Sequence, residues 1–209
     1  MKIDVFHDTV CPWCRIGKKH MELALAQYDG EVEIRYHTFF LNNNIPPEGA
    51  DFHTYMMAKG RGMVTDIEQF FDAPREMGRR VDLTFNFEAI TKAPNTTDSH
   101  RLIAMTPADR KVAMIDALYE AYFENGQDIG NRDVLVSVAE SVGLDGADVR
   151  GRLATDEAHQ QVIGEAMQGQ QLGVTGVPMF VFNNTLAFSG AQPPEAFLQM
   201  MQQAEDLAL

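Results

Sequence analysis

The chain has 209 residues, of which 45% are hydrophobic and 22% charged, and a formal net charge of -13 at pH 7. That length suits one domain, or one domain carrying a substantial insertion, and the composition is that of a globular chain able to bury a core. So negative a field repels phosphate backbones and anionic lipid, so neither nucleic acid nor a membrane is an expected partner, and no apolar run approaches the roughly 20 residues of a membrane helix.

The first strand signal comes at once. After Met1-Lys2 the segment IDVFHD alternates, with no apolar stretch before a small-residue cleavage site, so the expected compartment is the cytoplasm. Residues 2–7 read as a strand, Ile3 and Val5 on one face and Lys2, Asp4 and Phe6 on the other. CPWCRIGKKHMELALAQY (11–28) reads as a helix, with Met21, Ala24, Leu25 and Tyr28 at helical spacing. EVEIRYHTFF (31–40) alternates again, Val32, Ile34 and Tyr36 against Glu33, Arg35 and His37. The order β-α-β usually closes a parallel pair.

LNNNIPPEG (41–49) is turn chemistry, and a helical stretch follows to about residue 173. Thr106-Pro107 opens a helix in which Asp109 nearly completes a capping box, and its apolar face is Val112, Ile115, Leu118, Tyr119, Tyr122 and Phe123. NRDVLVSVAESVG starts at an Asn131 cap, stops at Gly143 and buries Val134, Leu135, Val138, Ala139 and Val142. DEAHQQVIGEAMQGQQLG ends the helical block. Met179 to Phe182 is a continuous apolar run, as in a central strand covered on both faces. Asn183-Asn184 suits a two-residue hairpin turn into Leu186 and Phe188. A last helix turns Ala196, Phe197, Met200, Met201 and Ala204 inward.

The two cysteines, Cys11 and Cys14, are the only ones in the chain. A zinc site would need two more ligands at suitable spacing, and the histidines at 7, 20, 37, 53, 100 and 159 offer no pair. Haem attachment would need His after the second Cys, where Arg15 stands. In the cytoplasm a structural disulfide does not persist, which leaves thiol–disulfide exchange. With Cys11 at the helix N-cap, Pro12 takes the first helical position and the N–H groups of Trp13 and Cys14 point back at the Cys11 sulfur. Such sites favour a thiolate, lowering a cysteine from about 8.5 to roughly 3.5–7.5. Cys14, one turn deeper, is the resolving thiol.

A strand, C-P-W-C, a helix, a strand, a helical block, and V-P before a hairpin and helix together resemble the DsbA family of the thioredoxin superfamily, in its FrnE-like branch. DSHRLI (98–103), EAYFENGQDI (120–129) and GVTGVPMFVFNNTLAFSGAQP (173–193) carry the resemblance over essentially the whole chain. It implies an α/β thioredoxin-like fold, residues 1–40 and 174–209, with a large helical insertion at 41–173. It implies that Val177-Pro178 is a cis peptide facing the cysteines, where its backbone pairs with an extended substrate. Pro12, Trp13, Val177, Pro178 and His100 are then substrate-binding candidates, His100 lining the cleft beside the insertion or else capping a helix. DsbA itself has histidine where Trp13 stands, so a milder thiolate and a less oxidising couple are expected, as in a cytoplasmic reductase or isomerase.

No bound cofactor or metal is implied, with glutathione a possible co-substrate. The expected partners are proteins or small molecules carrying disulfides or thiols, met by a monomer or homodimer. Two alternatives stay open. A glutathione-dependent 2-hydroxychromene-2-carboxylate isomerase or kappa-class transferase shares the fold, but typically has serine at the first cysteine. A chaperone-like module would not use the thiols, and Met56, Met57, Met63 and Met77 would suit its peptide groove as well as a helical core. His7 and Asp8 are positioned to tune Cys11 or to be satisfied structurally. Arg15, Lys18 and Lys19 add positive charge near it or line a solvated helix face.

Overall fold

The computed structural model describes residues 1–60 and 66–207, so Met63 of the methionine set lies outside the described residues. The chain forms two compact units, Met1–Leu41 with Ile163–Leu209, and Asn42–Val162. The second boundary thus falls at 162/163 rather than 173, inside the last helix of the helical block, whose later residues pack on the sheet.

The sheet-bearing unit is built from β1 (Lys2–His7), α1 (Pro12–Leu25), β2 (Glu33–Thr38), the end of α8 (His159–Gln171), β5 (Met179–Phe182), β6 (Leu186–Ser189) and α9 (Pro194–Asp206). The strand order is β2-β1-β5-β6, with β1 and β2 parallel and the other pairs antiparallel. Alternation decides what each face carries. Ile3 and Val5 face Met21 and Ala24 of α1 and Phe197, Met201 and Ala204 of α9, all at most 2% exposed. Phe180, Phe188 and Phe197 fill this core edge to face, Phe180 and Phe197 with centroids 4.7 Å apart at 84°. On the opposite face Phe6 packs with Phe39 and Val174, and Gly169 lets α8 approach, since a Cβ there would stand 3.0 Å from the Phe6 ring.

The hairpin departs by one residue from expectation. Phe182 pairs with Leu186, so three residues connect the strands, although Asn183 and Asn184 do take left-handed φ of +48° and +57°. Asn183 is held by β1: its amide donates to Lys2 O at 2.9 Å and its Oδ1 accepts from Lys2 N at 2.9 Å. That bonding to the neighbouring strand, invisible locally, lengthens the connection.

The helical unit contains β3 (Ala50–Asp51) paired with β4 (Lys92–Ala93), and α2 (Phe52–Lys59), α3 (Asp72–Arg79), α4 (Thr97–Met105), α5 (Lys111–Phe123), α6 (Arg132–Ser141) and α7 (Gly146–Leu153), followed by the start of α8. Its core includes a run of stacked phenylalanines, Phe52 on Phe71, Phe71 on Phe87 at 4.3 Å and Phe85 on Phe87, closed edge-on by Phe123. Asn131 caps α6, accepting from Asp133 N at 2.8 Å and Val134 N at 3.4 Å. Two details differ from expectation. Thr106 forms no capping box; its hydroxyl donates back to Leu102 O at 2.7 Å and finishes α4. Val112 is 43% exposed, because a 3-10 turn at Ala108–Arg110 precedes α5 and leaves its first turn facing outward.

Among the described residues no helix is long and apolar enough to cross a membrane.

Candidate active site

The turn after β1 sets the position of Cys11. Its N–H donates to Asp8 O at 3.1 Å, and Asp8 itself, 1% exposed, is anchored because its Oδ2 accepts from Leu41 N at 2.8 Å. Cys11 is then the N-cap of α1, in extended conformation at φ -96°, ψ 110°, with Pro12 at the first helical position. This is the predicted start, but the predicted use of the amides is corrected. The first-turn N–H groups of Cys14 and Arg15 donate to the Cys11 carbonyl, at 3.0 and 3.3 Å, and no N–H caps the Cys11 sulfur among the described residues. The sulfur turns instead to the other half of the chain, where the thiol donates to Val177 O at 3.7 Å, 166 residues away. The peptide that follows, Val177-Pro178, is cis.

Cys11 and Cys14 are free thiols, 3% and 2% exposed. Burial pushes the Cys14 thiol well above the ordinary cysteine range, and its hydrogen bond with Cys11 acts in the same direction, while the Asp8 backbone draws it back.

Of the other predicted residues, Pro12, Trp13 and Val177 are half-buried and Pro178 is buried. Cys11, Cys14, Val177 and Pro178 all lie in the sheet-bearing unit. His100 lies on α4 of the helical unit, 1% exposed. DSHRLI is largely architectural, since Asp98 pairs with both Arg101 and Arg132 and Ser99 Oγ donates to Thr96 O. Arg15 and Lys18, 8% and 3% exposed, do not form a solvated face, and Lys18 pairs with Glu22 one turn on. Their long side chains are covered because α1 is buried along most of its length.

Reading the sequence missed the residues that fix the loop around Pro178. Gly190, at φ +84°, donates its N–H to Pro178 O at 2.8 Å. Gln192 O meets His20 Nδ1 of α1 at 2.8 Å, and His20 is 3% exposed. Gly17, inside α1, is a poor helix former by about 0.5–1 kcal/mol relative to Ala; the cost brings close packing, because a Cβ there would stand 3.1 Å from both Pro178 Cγ and Phe180 Cζ. The only sequence signal for this was a glycine in mid-helix.

Away from the cysteines, a cavity of about 160 Å³ is lined by Lys2, Asp4, Phe6, His37 and Glu165 among others. Asp4 is held there between Lys2 Nζ at 2.8 Å and His37 Nε2 at 2.7 Å. Although burial alone would raise its carboxyl, those hydrogen bonds hold it below the usual carboxylate range.

The model of the DSBA-like thioredoxin domain matches residues 2–202. The chain is 27% identical over 198 residues to the uncharacterized protein YwbO of Bacillus subtilis strain 168, covering 93% of this chain and 92% of YwbO. Among solved structures it resembles the probable DsbA oxidoreductase SCO1869 of Streptomyces coelicolor, with a TM-score of 0.90 and 30% identity over 99% of this chain and 90% of that one. It also resembles in fold the cytosolic disulfide reductase DsbM of Pseudomonas aeruginosa, solved with glutathione (TM-score 0.66, 16% identity, all of both chains). With its cysteine pair opening the first helix across from Val177-Pro178, the chain belongs to the DSBA-like thioredoxin domain family.

Proposed function

We propose that the protein is a thiol–disulfide oxidoreductase with Cys11 as nucleophile and Cys14 as resolving thiol. One observation carries the reading: two free thiols one helical turn apart, with Cys11 Sγ 3.7 Å from the carbonyl that precedes Pro178. In the reducing direction, Cys11 as thiolate attacks one sulfur of a substrate disulfide and releases the other as a thiol. Cys14 then gives up its proton, attacks the Cys11 sulfur of the mixed disulfide, expels the second substrate thiol and leaves a Cys11–Cys14 disulfide. Two electrons pass to the substrate, and two molecules of a small thiol restore the pair. Glutathione is the proposed reductant, a reading supported by its presence in the DsbM structure, and the cytoplasm the proposed compartment.

Pro12, Trp13, Val177 and Pro178 are the proposed substrate contacts. His100 is buried, so contact with substrate requires it to be uncovered; His100→Ala tests this, and a changed KM at unchanged stability would assign it. Free cysteine at position 11 favours exchange over the glutathione-dependent isomerase or transferase, whose typical residue there is serine.

The test is reduction of insulin, with glutathione as the reductant, by wild type, Cys11→Ser and Cys14→Ala. The expected result is loss of turnover in Cys11→Ser, and in Cys14→Ala a mixed disulfide that accumulates and is visible by mass. Glutathione conjugation retained in Cys11→Ser, with no exchange in wild type, would support the isomerase instead; client protection retained in Cys11→Ala, again without exchange, would support the chaperone.

A further inference from the structure

α1 meets the Pro178 segment at three levels within the sheet-bearing unit. At its start, Cys11 Sγ donates to Val177 O at 3.7 Å. Two turns on, the bare Cα of Gly17 lies against Pro178 and Phe180, where an added Cβ would stand 3.1 Å from Pro178 Cγ, 3.1 Å from Phe180 Cζ and 3.3 Å from Phe180 Cε2. One turn further, His20 Nδ1 meets Gln192 O at 2.8 Å.

Neither neighbour of Gly17 is free to retreat. Phe180 is fully buried, its ring pressed edge-on to Phe197 at 4.7 Å and tilted against Phe188 at 5.4 Å. Pro178 is buried, and its carbonyl is tied to Gly190 N at 2.8 Å. Cβ contacts at such distances are tighter than packed atoms normally tolerate, so a side chain at 17 moves the helix rather than the loop. Cys11 and Cys14 ride on that helix, six and three residues before Gly17.

We propose that Gly17 is a positioning residue: its missing side chain sets the separation between the Cys11 sulfur and the Val177 carbonyl, and through it the rate of disulfide exchange. The rate part rests on the function proposed above; the distance part stands without it. Lifting α1 lengthens a sulfur contact already at the long end and misaligns the nucleophile with a substrate laid along the Val177 backbone. A misplacement of 1 Å costs on the order of 100-fold in rate, so the few tenths of an ångström needed here correspond to roughly tenfold.

The test compares wild type, Gly17→Ala and Gly164→Ala, the last a helical glycine whose added Cβ meets nothing within 4 Å. Three readouts are taken: the rate of reaction with oxidised glutathione, the redox equilibrium with glutathione, and the S–H stretching band of Cys11 in the Raman spectrum, isolated by comparison with a Cys14→Ala background. In Gly17→Ala the expected results are a roughly tenfold slower rate and a Cys11 band moved to the frequency of a thiol without an acceptor. The redox equilibrium with glutathione shifts about 2- to 10-fold toward the disulfide, since the reduced form loses a hydrogen bond. Gly164→Ala leaves all three where they are. An unmoved band in folded Gly17→Ala overturns the distance claim; an unmoved rate with a moved band overturns the rate claim. If wild type fails to react, the function proposed above is wrong, and the band still decides whether Gly17 sets the contact. If Gly17→Ala does not fold, the alanine is added to Phe180→Leu, where the contact with Pro178 remains; there it still shifts the band, and identical bands with and without it overturn the proposal.

Discussion

Arg101 in the helical unit and Asp8 in the sheet-bearing unit are both nearly sealed from water, at 2% and 1% exposure, yet they serve different ends. Arg101 spends its guanidinium on structure. Nε donates to Glu157 O at 2.8 Å, Nη1 to Asp98 Oδ1 at 2.6 Å and Leu153 O at 3.4 Å, and Nη2 to Thr155 O at 2.5 Å and Arg152 O at 3.4 Å. Those carbonyls belong to the end of α7 and the turn after it, the negative pole of a helix that needs donors. Asp8 instead spans from Leu41 N to the Cys11 amide and holds the turn from which the thiols project. The difference teaches that burial of charge is not by itself a sign of chemistry. In one unit the donors of Arg101 are consumed in a single geometry; in the other the polar framework ends at the Cys11 thiol, which donates to the Val177 carbonyl.

The strongest way to break that contrast is Arg101→Met. It strips donors from several buried carbonyls and leaves Asp98 with Arg132 alone, so denaturant unfolding should show a loss of about 3–5 kcal/mol, while the protein that remains folded exchanges disulfides at the wild-type rate. A slowed rate in the folded fraction would make Arg101 part of the working site. A smaller effect sharpens the picture of the helical unit: Asn131→Ala removes the cap of α6 and should cost about 1 kcal/mol in the same measurement. A change within error would show that the cap is redundant there.

The smallest effect separates the units by pH. In the sheet-bearing unit the Cys14 thiol is held well above the ordinary cysteine range, first by burial and then by Cys11. Its contribution to the reduced protein is complete below about 8.5, the ordinary value, and is lost as pH rises beyond it, at no more than about 1.4 kcal/mol per pH unit. Stability curves of the reduced protein between pH 8 and 10 should therefore fall less steeply in Cys14→Ala. Parallel slopes would mean that Cys14 is not the group that titrates.

Much of this was legible locally. The strands β1, β2 and β5, the helix beginning at Pro12 and the cap at Asn131 are short-range patterns in which alternation, proline placement and side-chain type agree. The cysteine pair was legible for the same reason. What was hidden depends on residues far apart in the chain. Two-residue strands such as Ala50–Asp51 and Lys92–Ala93 exist only because they pair with each other. The acceptor for the Cys11 thiol is Val177, and nothing near residue 11 announces that the sulfur turns there instead of to the helix amides. Arg15 and Lys18 look solvated in a helical plot, yet α1 is buried along most of its length and covers them. The helical unit was the less readable of the two because Phe52, Phe71, the Phe85–Phe87 stretch and Phe123 pack together from four separate segments.

Asn183 has a consequence of another kind. It bonds to Lys2 through both its amide and its Oδ1, and its Nδ2 donates to Ala204 O at 3.2 Å. One side chain thus gathers the second residue and the two-hundred-and-fourth. Strand β1, the hairpin turn and helix α9, set far apart along the chain, are therefore fastened at one shared side chain.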